Sequence, residues 1–287
     1  MIWVIGNRGM LGTDLCRVLS NASADFCESG VEVDITDINS LEKHVSGKKI
    51  DWIINCSAYT AVDKAESEVA VAQKINAEGV FNIGKIAKRC NAKVVHFSTD
   101  YVFDGSLDRP YIETDFPSPI SVYGKTKLEG EKKLVEAIDT FFIFRISWIY
   151  GNKGKNFVTS IIKLLKERDC LKIVNDQIGA PTWTEKLSEN ILNLINSNSN
   201  KYGFYHYSDE GQISWFDFAV EIQEQGLKSG LFESRKQILP IPSSEYPAPA
   251  TRPANSRLNT TKVREILGFK INPWQENLRN YLSSMKS

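Results

Sequence analysis

Cysteines are few in this sequence, and none are spaced as a zinc site or a disulfide framework would need. The five cysteines are scattered, odd in number and never two residues apart. Zinc and redox motifs pair cysteines at short spacing, and disulfide-rich domains carry an even number of them. The sequence therefore predicts neither kind of site, and scattered thiols fit a reducing cytoplasm.

An excess of charge of one sign and long apolar runs are also missing. Lys plus Arg and Asp plus Glu each number 35, so the formal net charge is zero. Binders of nucleic acid or anionic membranes usually carry a basic excess, and a membrane helix needs about 18 or more apolar residues in a row. The chain opens on the apolar run Ile2–Ile5, without the basic region and cleavage site of a secretory signal. We therefore expect a cytoplasmic protein that binds neither nucleic acid nor membranes.

Short apolar runs alternate with helical patterns along the first half of the chain. A chain of 287 residues with 42% apolar residues can form one large domain or two interlocked ones. Alternating strands and helices predict an α/β fold, a Rossmann-type doubly wound parallel sheet with helices on both faces. The predicted strands are 2–5, 31–33, 52–55, 94–98 and 141–146, and the predicted helices are 38–45, 65–87 and 125–137.

The regular alternation of short apolar runs and helical patterns ends after about residue 149. Helical patterns at 157–168 and 184–196 are followed by an aromatic segment at 203–208 and a stretch rich in Pro, Ser and Ala at 239–253. Two further helical pieces lie at 261–267 and 273–284. We predict a first domain at 1–149 and a smaller α/β lobe at 150–287 that covers the substrate. The strand near 171–174 and the helix near 184–196 are expected to return to the first domain.

Gly6, Gly9 and Gly12 lie between the first predicted strand and the first predicted helix. Glycines allow positive φ and close approach of a diphosphate, and the helix N-terminus supplies free N–H donors and partial positive charge. The alternative is a tight turn without a ligand. In this context the motif predicts that the first domain binds a nicotinamide dinucleotide, through the three glycines and their neighbours Met10 and Leu11.

The cofactor preference depends on residues near the adenine ribose. No acidic residue obviously ends a second strand in the polar stretch 21–30, and Arg8 could meet a 2′-phosphate or simply be solvated. NADPH is therefore favoured slightly, with NADH as the alternative. Asp34, beside Ile35, could bind the adenine amino group or cap the helix that follows.

Small and polar residues follow the strand predicted at 52–55. Ala58, Tyr59 and Thr60 would let the backbone pass close to a flat ligand at the carboxyl end of the sheet, where ligands collect in open α/β folds. We predict that these three residues also bind the cofactor.

Tyr123 precedes Lys127 by four residues at the start of a helical pattern. Residues four apart share a helix face, with Cβ atoms about 5–6 Å apart. An ammonium beside a phenol favours the phenolate and lowers a pKa that is otherwise about 10. The pair predicts a proton donor, against the alternative of a mostly exposed helix start.

Thr99 and Asp100 end the strand predicted at 94–98. Strand ends of a parallel sheet share one crevice. The Thr99 hydroxyl could donate to a substrate carbonyl as negative charge develops there, and Asp100 could accept from a substrate hydroxyl. A turn or a helix cap is the ordinary alternative.

Several segments resemble the extended short-chain dehydrogenase/reductase family. The general pattern is carried by the glycine turn, by Ser-Thr-Asp-Tyr-Val-Phe at 98–103 and by Tyr-Gly-Lys-Thr-Lys at 123–127. Segments at 60–66, 144–148, 175–182 and 252–258 resemble more closely its dTDP-4-dehydrorhamnose reductase branch. The resemblance runs almost from end to end.

The resemblance implies an NAD(P)H-dependent oxidoreductase of dTDP-rhamnose biosynthesis, which supplies cell-surface polysaccharide. It would reduce the 4-keto group of dTDP-4-dehydro-β-L-rhamnose to give dTDP-L-rhamnose. Tyr123 would deliver the proton, Thr99 would polarise the carbonyl, and Tyr123 and Lys127 would both bind the cofactor, with Lys127 holding its ribose. Trp148 resembles the family residue that packs on the substrate sugar, although a core aromatic at a domain boundary is the alternative.

Two other functions stay open at this point. A reductase of another nucleotide 4-keto-6-deoxysugar would differ only in pocket detail. A non-catalytic regulatory subunit of the same fold would bind the dinucleotide without oxidising it, and the intact catalytic residues argue against it.

Further residues are less certain in role. Some family members hold Mg²⁺ at a dimer contact, and Asp14 and Glu185 fall at comparable places, but Lys186 departs from that pattern and no metal is predicted. Arg252 and Arg257 could bind the substrate diphosphate or form ion pairs within the C-terminal lobe. We expect a monomer or homodimer whose partner is a small-molecule nucleotide sugar.

Overall fold

A computed structural model describes residues 1–285 of the chain. Its strands are β1 (Ile2–Ile5), β2 (Phe26–Ser29), β3 (Trp52–Asn55), β4 (Lys93–Thr99), β5 (Phe141–Ile146), β6 (Ile149–Tyr150), β7 (Cys170–Val174), β8 (Ile178–Gly179), β9 (Thr182–Trp183), β10 (Gly203–Tyr207), β11 (Ile213–Ser214) and β12 (Gln237–Ile241). Its α-helices are α1 (Met10–Asn21), α2 (Ile38–Val45), α3 (Val62–Ala65), α4 (Val69–Gln73), α5 (Gly79–Cys90), α6 (Val122–Ala137), α7 (Phe157–Glu167), α8 (Thr184–Asn196), α9 (Trp215–Lys228), α10 (Thr261–Leu267) and α11 (Trp274–Ser284). A π-helix spans Lys74–Glu78, and 3₁₀ turns span Asp100–Val102 and Ser243–Glu245.

Six parallel strands form the central sheet in the order β10-β5-β4-β3-β1-β2. Consecutive strands β2 and β3 lie on opposite sides of β1, so the strand order reverses there. In open α/β sheets ligands bind at the carboxyl ends of strands beside such a reversal. The predicted doubly wound, Rossmann-type fold is confirmed.

The two faces of the sheet bury different sets of side chains. Ile2 and Val4 of β1 face a cluster with α1, α8 and α10. Trp3 and Ile5 face the opposite cluster, which includes residues of α2, α5 and α6. This alternation is the period of two that a strand imposes on its side chains, and it explains why β1 is apolar throughout.

The second half of the chain builds a lobe around a third apolar cluster. Helices α7, α9 and α11 contribute to this cluster, and β7 pairs in parallel with β12 beside it. β6 includes the predicted domain boundary at 149/150. Helix α8 packs against α1 of the first half, and β10 extends the central sheet. Among residues 1–285, no helix is long and apolar enough to cross a membrane.

Two predictions about strands are wrong: one strand lies elsewhere in the sequence, and another pairs with a different strand than expected. Residues 31–33 form an exposed turn in which Val31 is 90% exposed. The second strand is instead β2, an edge strand whose first three residues are only partly buried or exposed, so it carries little apolar signal. The strand near 171–174 pairs with β12 instead of joining the central sheet. β10 adds the sixth strand there, because an apolar run does not by itself specify its partner.

Asp209 lies just after β10 in a buried region shared with the second lobe. Its carboxylate accepts from the Trp183 backbone N–H at 3.2 Å and lies 3.5 Å from the Tyr150 hydroxyl. Burial raises the pKa of Asp209 from 3.8 to about 8. The folded protein thus holds this proton to a higher pH than the unfolded chain does. The stability that this group contributes is complete below pH 3.8 and is lost as the pH rises through about 8.

The variant Asp209→Asn should therefore lose less stability than the wild type between about pH 5 and pH 8.5, because an amide cannot ionise. Urea unfolding at the two pH values measures the difference. Glu265→Gln, a change at an exposed carboxylate, is the control and should keep the wild-type pH dependence. Parallel stability curves for wild type and Asp209→Asn would contradict the prediction.

Candidate active site

The glycine turn connects β1 to the N-terminus of α1. Gly9 is the N-cap of α1, and because it has no side chain it cannot cap the helix with a hydrogen bond. No acidic residue stands in the first turn of the helix. Gly6 has φ of 80°, and a Cβ on Gly12 would clash with the Gly6 carbonyl oxygen. The tight turn leaves the first N–H groups of a 12-residue helix available to an anion. This arrangement fits the diphosphate of a dinucleotide.

The residues predicted around the cofactor differ in how they could contact it. Met10 is partly exposed, whereas Leu11 is 5% exposed and packs in the core. Ile35 is 7% exposed and packs in the opposite core cluster. A ligand could therefore reach Leu11 and Ile35 only through their backbone.

Asp34 is exposed and accepts from the Thr36 N–H and hydroxyl at 2.8 and 2.7 Å. These hydrogen bonds lower the pKa of Asp34. The helix-capping role considered for Asp34 belongs instead to Asp37, which caps α2. Arg8 is 71% exposed and lies 3.4 Å from the Glu32 carboxylate, so an acidic residue does stand beside it just past β2.

The loop after β3 is held in place by Asn76, a residue of the π-helix. Asn76 is 1% exposed. Its amide accepts from Tyr59 N–H at 2.8 Å and donates to Tyr59 C=O at 3.1 Å, and it also donates to the Thr126 hydroxyl at 3.1 Å. Asn76 therefore ties the loop of Ala58, Tyr59 and Thr60 to α6. The predicted continuous helix at 65–87 is interrupted at this point by the π-turn, which commonly marks a functional site.

Replacing Asn76 by alanine should weaken NADPH binding on the order of tenfold, because a buried polar group that loses its partner costs about 1–3 kcal/mol. Isothermal titration with NADPH measures the change. Asn190→Ala is the matched control, since buried Asn190 bridges α8 to the Lys270 backbone away from the loop. That control should lose stability and keep its NADPH affinity. Equal affinities in wild type and Asn76→Ala would refute the anchoring role.

Tyr123 stands in the first turn of α6. Ser121 caps the helix by accepting from Gly124 N–H at 3.2 Å, and the Tyr123 ring packs edge-on against Tyr101, with centroids 5.9 Å apart. A side chain on Gly124 would clash with the Tyr101 carbonyl, so this glycine lets α6 approach the end of β4. Thr99 ends β4, and its hydroxyl donates to Asp100 Oδ1 at 3.0 Å. The fold thus brings Thr99, Asp100 and Tyr123 together.

Burial dominates the electrostatics of these side chains. It raises the pKa of Tyr123 to about 12, an effect that the hydrogen bond with Thr99 opposes and the Asp100 charge increases. Burial likewise raises the pKa of Asp100 to about 7, opposed by hydrogen bonds from Ser256 and Thr99. At neutral pH the Tyr123 phenol therefore keeps its proton.

Lys127 lies one helical turn after Tyr123 and is 2% exposed. Its Nζ donates to the Phe97 carbonyl at 2.6 Å. Burial lowers the pKa of Lys127 to about 8, and the Glu131 charge opposes this. The pKa of Tyr123 is thus raised by burial, whereas the spacing of the pair predicts a lowered one, and the Lys127 ammonium donates to the backbone of β4.

Trp148 follows β5 and is partly buried. Its ring stacks on Trp215, with centroids 3.5 Å apart.

The two arginines considered for diphosphate binding form different hydrogen bonds within the protein. Arg252 reaches the first half of the chain, donating to Asp63 at 2.9 Å. Arg257 donates to Asn255 at 2.8 Å and also bonds the Gln212 side chain and the Asp108 carbonyl, so its guanidinium is largely used within the protein.

Asp14 and Glu185 do come close to each other, but both face Arg17. Arg17 lies 2.7 Å from Glu185 and 3.8 Å from Asp14, and Asp14 also accepts from the Thr184 hydroxyl. Within residues 1–285, no group of three or more His, Cys, Asp or Glu side chains could hold a metal. Arg17 and Thr184 therefore already engage these two carboxylates.

A cavity of about 1290 Å³ lies in the second lobe, between α7, β7 and the segment 243–252. Its wall combines aromatic and aliphatic side chains with four cationic ones. The apolar lining includes Phe157, Ile161 and Trp215, and the cationic lining is Lys155, Arg168, Lys172 and Arg252. Because Arg252 also pairs with Asp63, this cavity borders the first half of the chain.

Known proteins match the chain over its whole length. The family model described as the RmlD substrate binding domain matches residues 1–287. The dTDP-4-dehydrorhamnose reductase of Escherichia coli strain K12 is 39% identical over 296 residues, which cover 99% of this chain and 97% of that protein. The chain belongs to the dTDP-4-dehydrorhamnose reductase family.

Solved structures of other dTDP-4-dehydrorhamnose reductases have the same fold. The protein from Clostridium acetobutylicum superposes with a TM-score of 0.93 at 37% identity, covering 100% of this chain and 99% of that one. The protein from Bacillus anthracis, solved in complex with NADP, gives 0.91 at 36% identity, covering 99% and 98%. The predicted family membership is therefore confirmed.

Proposed function

We propose that the protein reduces the 4-keto group of dTDP-4-dehydro-β-L-rhamnose to give dTDP-L-rhamnose, using NADPH, with NADH as the alternative. The observation that carries the proposal is the meeting of Thr99, Tyr123 and Lys127 at the end of β4, in a chain that matches named reductases from end to end. Near the adenine ribose, exposed Arg8 suits the 2′-phosphate of NADPH, and Glu32, 3.4 Å from it, suits the 2′-hydroxyl of NADH.

The glycine turn and the Asn76-anchored loop would hold the dinucleotide. The N-terminus of α1 suits its diphosphate, and Lys127 has ammonium donors beyond its bond to Phe97 that suit ribose hydroxyls. When bound, the reduced nicotinamide would supply the hydride. Asp34 would remain available to the adenine amino group.

Tyr123 would supply the proton. With a pKa of about 12 it is protonated at neutral pH, which is the form that a general acid needs. As hydride reaches C4 of the sugar, negative charge develops on O4, and the Tyr123 hydroxyl transfers its proton there. The Thr99 hydroxyl, turning away from Asp100 Oδ1, donates its one proton in a hydrogen bond to the same oxygen and stabilises the charge before transfer is complete.

The cavity in the second lobe would receive the nucleotide end of the substrate. Its cationic side chains suit a diphosphate, and its aromatic walls suit a base. Trp148 would pack on the sugar between this cavity and Tyr123. We further expect a cytoplasmic protein, because all five cysteines are unpaired, and a monomer or homodimer.

Purified protein incubated with NADPH and enzymatically generated dTDP-4-dehydro-β-L-rhamnose should consume the cofactor, and NMR should identify dTDP-L-rhamnose. Parallel reactions with NADH and with other nucleotide 4-keto-6-deoxysugars set the specificity. Consumption only with another sugar would point to a different reductase. NADPH binding without consumption of any sugar would point to a regulatory subunit and overturn the proposal.

A further inference from the structure

Trp148 and Trp215 form a stacked pair where the two lobes meet. Their ring centroids are 3.5 Å apart and their planes differ by 11°. Trp148 lies between β5 and β6, and Trp215 is the first residue of α9. The two indoles are separated by 67 positions in the chain, so neither places the other through local structure.

The backbone of Trp148 is in an unfavourable conformation. Its φ is 46°, in the left-handed region that bulky L-residues adopt only when their surroundings hold them there. The Trp148 carbonyl accepts from Thr182 N–H at 3.3 Å. Gly179 also lies against the indole, since a Cβ on Gly179 would come 2.6 Å from a ring atom. The orientation of this ring is therefore imposed by its neighbours.

Trp215 is firmly held. Ser214 caps α9 in a capping box with Asp217, and the Phe157 ring packs against Trp215, with centroids 4.6 Å apart. β11 leads directly into Trp215 and pairs with β8, where Ile213 is opposite Gly179. One two-stranded ribbon thus carries both the glycine and the indole that contact Trp148.

The geometry points to Trp215 as a positioning residue that holds the Trp148 indole in the orientation in which it packs on the substrate sugar. This inference rests on the proposed function, because it takes Trp148 as the sugar contact. Trp215 also lines the cavity that is proposed to receive the nucleotide end of the substrate. A misplacement of about 1 Å at a reacting centre can cost 10²-fold in rate. Loss of the stack should therefore lower kcat more than it weakens NADPH binding.

Three variants and one control test the inference. Trp215→Leu removes the stack, and Trp215→Phe keeps a smaller aromatic face. Gly179→Ala pushes on the Trp148 ring while Trp215 stays in place, and Gly179 has no positive φ that alanine would oppose. Trp274→Phe is the matched control, because Trp274 packs against Phe218 in the same lobe, with centroids 5.7 Å apart.

Steady-state kinetics with the 4-keto sugar, NADPH titration and circular dichroism are measured on each protein. We expect kcat/KM to fall about 10–100-fold in Trp215→Leu and Gly179→Ala, mostly through kcat, with partial recovery in Trp215→Phe. NADPH affinity should stay within about twofold of wild type in all of them. The exciton signal of the stacked indoles should disappear from both Trp215 variants and persist in Trp274→Phe.

The outcomes separate the inference from the function it rests on. An inactive wild type overturns the proposed function. An active wild type with unchanged kcat/KM in Trp215→Phe and Gly179→Ala overturns the positioning role alone, and so does an equal loss in Trp274→Phe. If Trp215→Leu fails to fold, Trp215→Phe and Gly179→Ala still decide the question.

Discussion

Replacing Tyr123 by phenylalanine should lower kcat by about 10²–10⁴-fold, the usual cost of losing a positioned general acid. Phenylalanine keeps the ring that packs against Tyr101 and removes only the hydroxyl that would protonate the sugar oxygen. Because the phenol has a pKa of about 12, it carries its proton at neutral pH and can donate it to the sugar oxygen. Stopped-flow measurement of NADPH oxidation with saturating keto sugar gives kcat directly.

The fold of Tyr123→Phe should stay close to that of wild type, since the deleted hydroxyl holds no segment of backbone. Tyr205→Phe is the control. It deletes a hydroxyl that donates to the Lys201 carbonyl at 2.5 Å, away from the site, and it should turn over near the wild-type rate. Near-normal turnover in Tyr123→Phe would remove this residue from the mechanism and leave the proton to another donor.

Local patterns were sufficient to predict much of the fold. β5, α2 and α8 have the predicted bounds, because a buried run or an amphipathic period is a property of the segment itself. β2 and β10 could not be placed in this way. β2 is a partly exposed edge strand, and the place of β10 depends on a neighbour about 60 residues earlier in the chain.

The residues of the candidate site also fall into those that a local pattern can predict and those that it cannot. Thr99 and Tyr123 stand in short motifs whose position at a strand end and a helix start can be read locally. Asn76 and Trp215 could not be found, because each acts through contacts with distant segments. The direction of the Tyr123 pKa was also missed, since spacing cannot show how deeply a side chain is buried.

Replacing Arg145 by methionine should lower the free energy of unfolding by about 3–5 kcal/mol, because it leaves a buried carboxylate without a partner. Arg145 and Glu131 are 3% and 1% exposed and form two parallel bonds of 2.9 and 2.8 Å. The rings of Phe103 and Phe204 lie about 5 Å from the guanidinium, so little water can reach the pair. Urea unfolding of wild type and variant measures the loss.

A double variant shows whether the loss of stability comes from the unpaired buried carboxylate or from lost packing. Glu131→Leu combined with Arg145→Met leaves neither charge buried, so it should cost clearly less than the sum of the two single changes. Lys133→Met breaks an exposed pair on the same helix and should change stability by no more than about 1 kcal/mol. Additive costs in the double variant would mean that the pair matters only as packing. Since Glu131 stands one turn after Lys127, coupling between the charges would instead mean that the same buried pair fixes the helix that carries Tyr123 and Lys127.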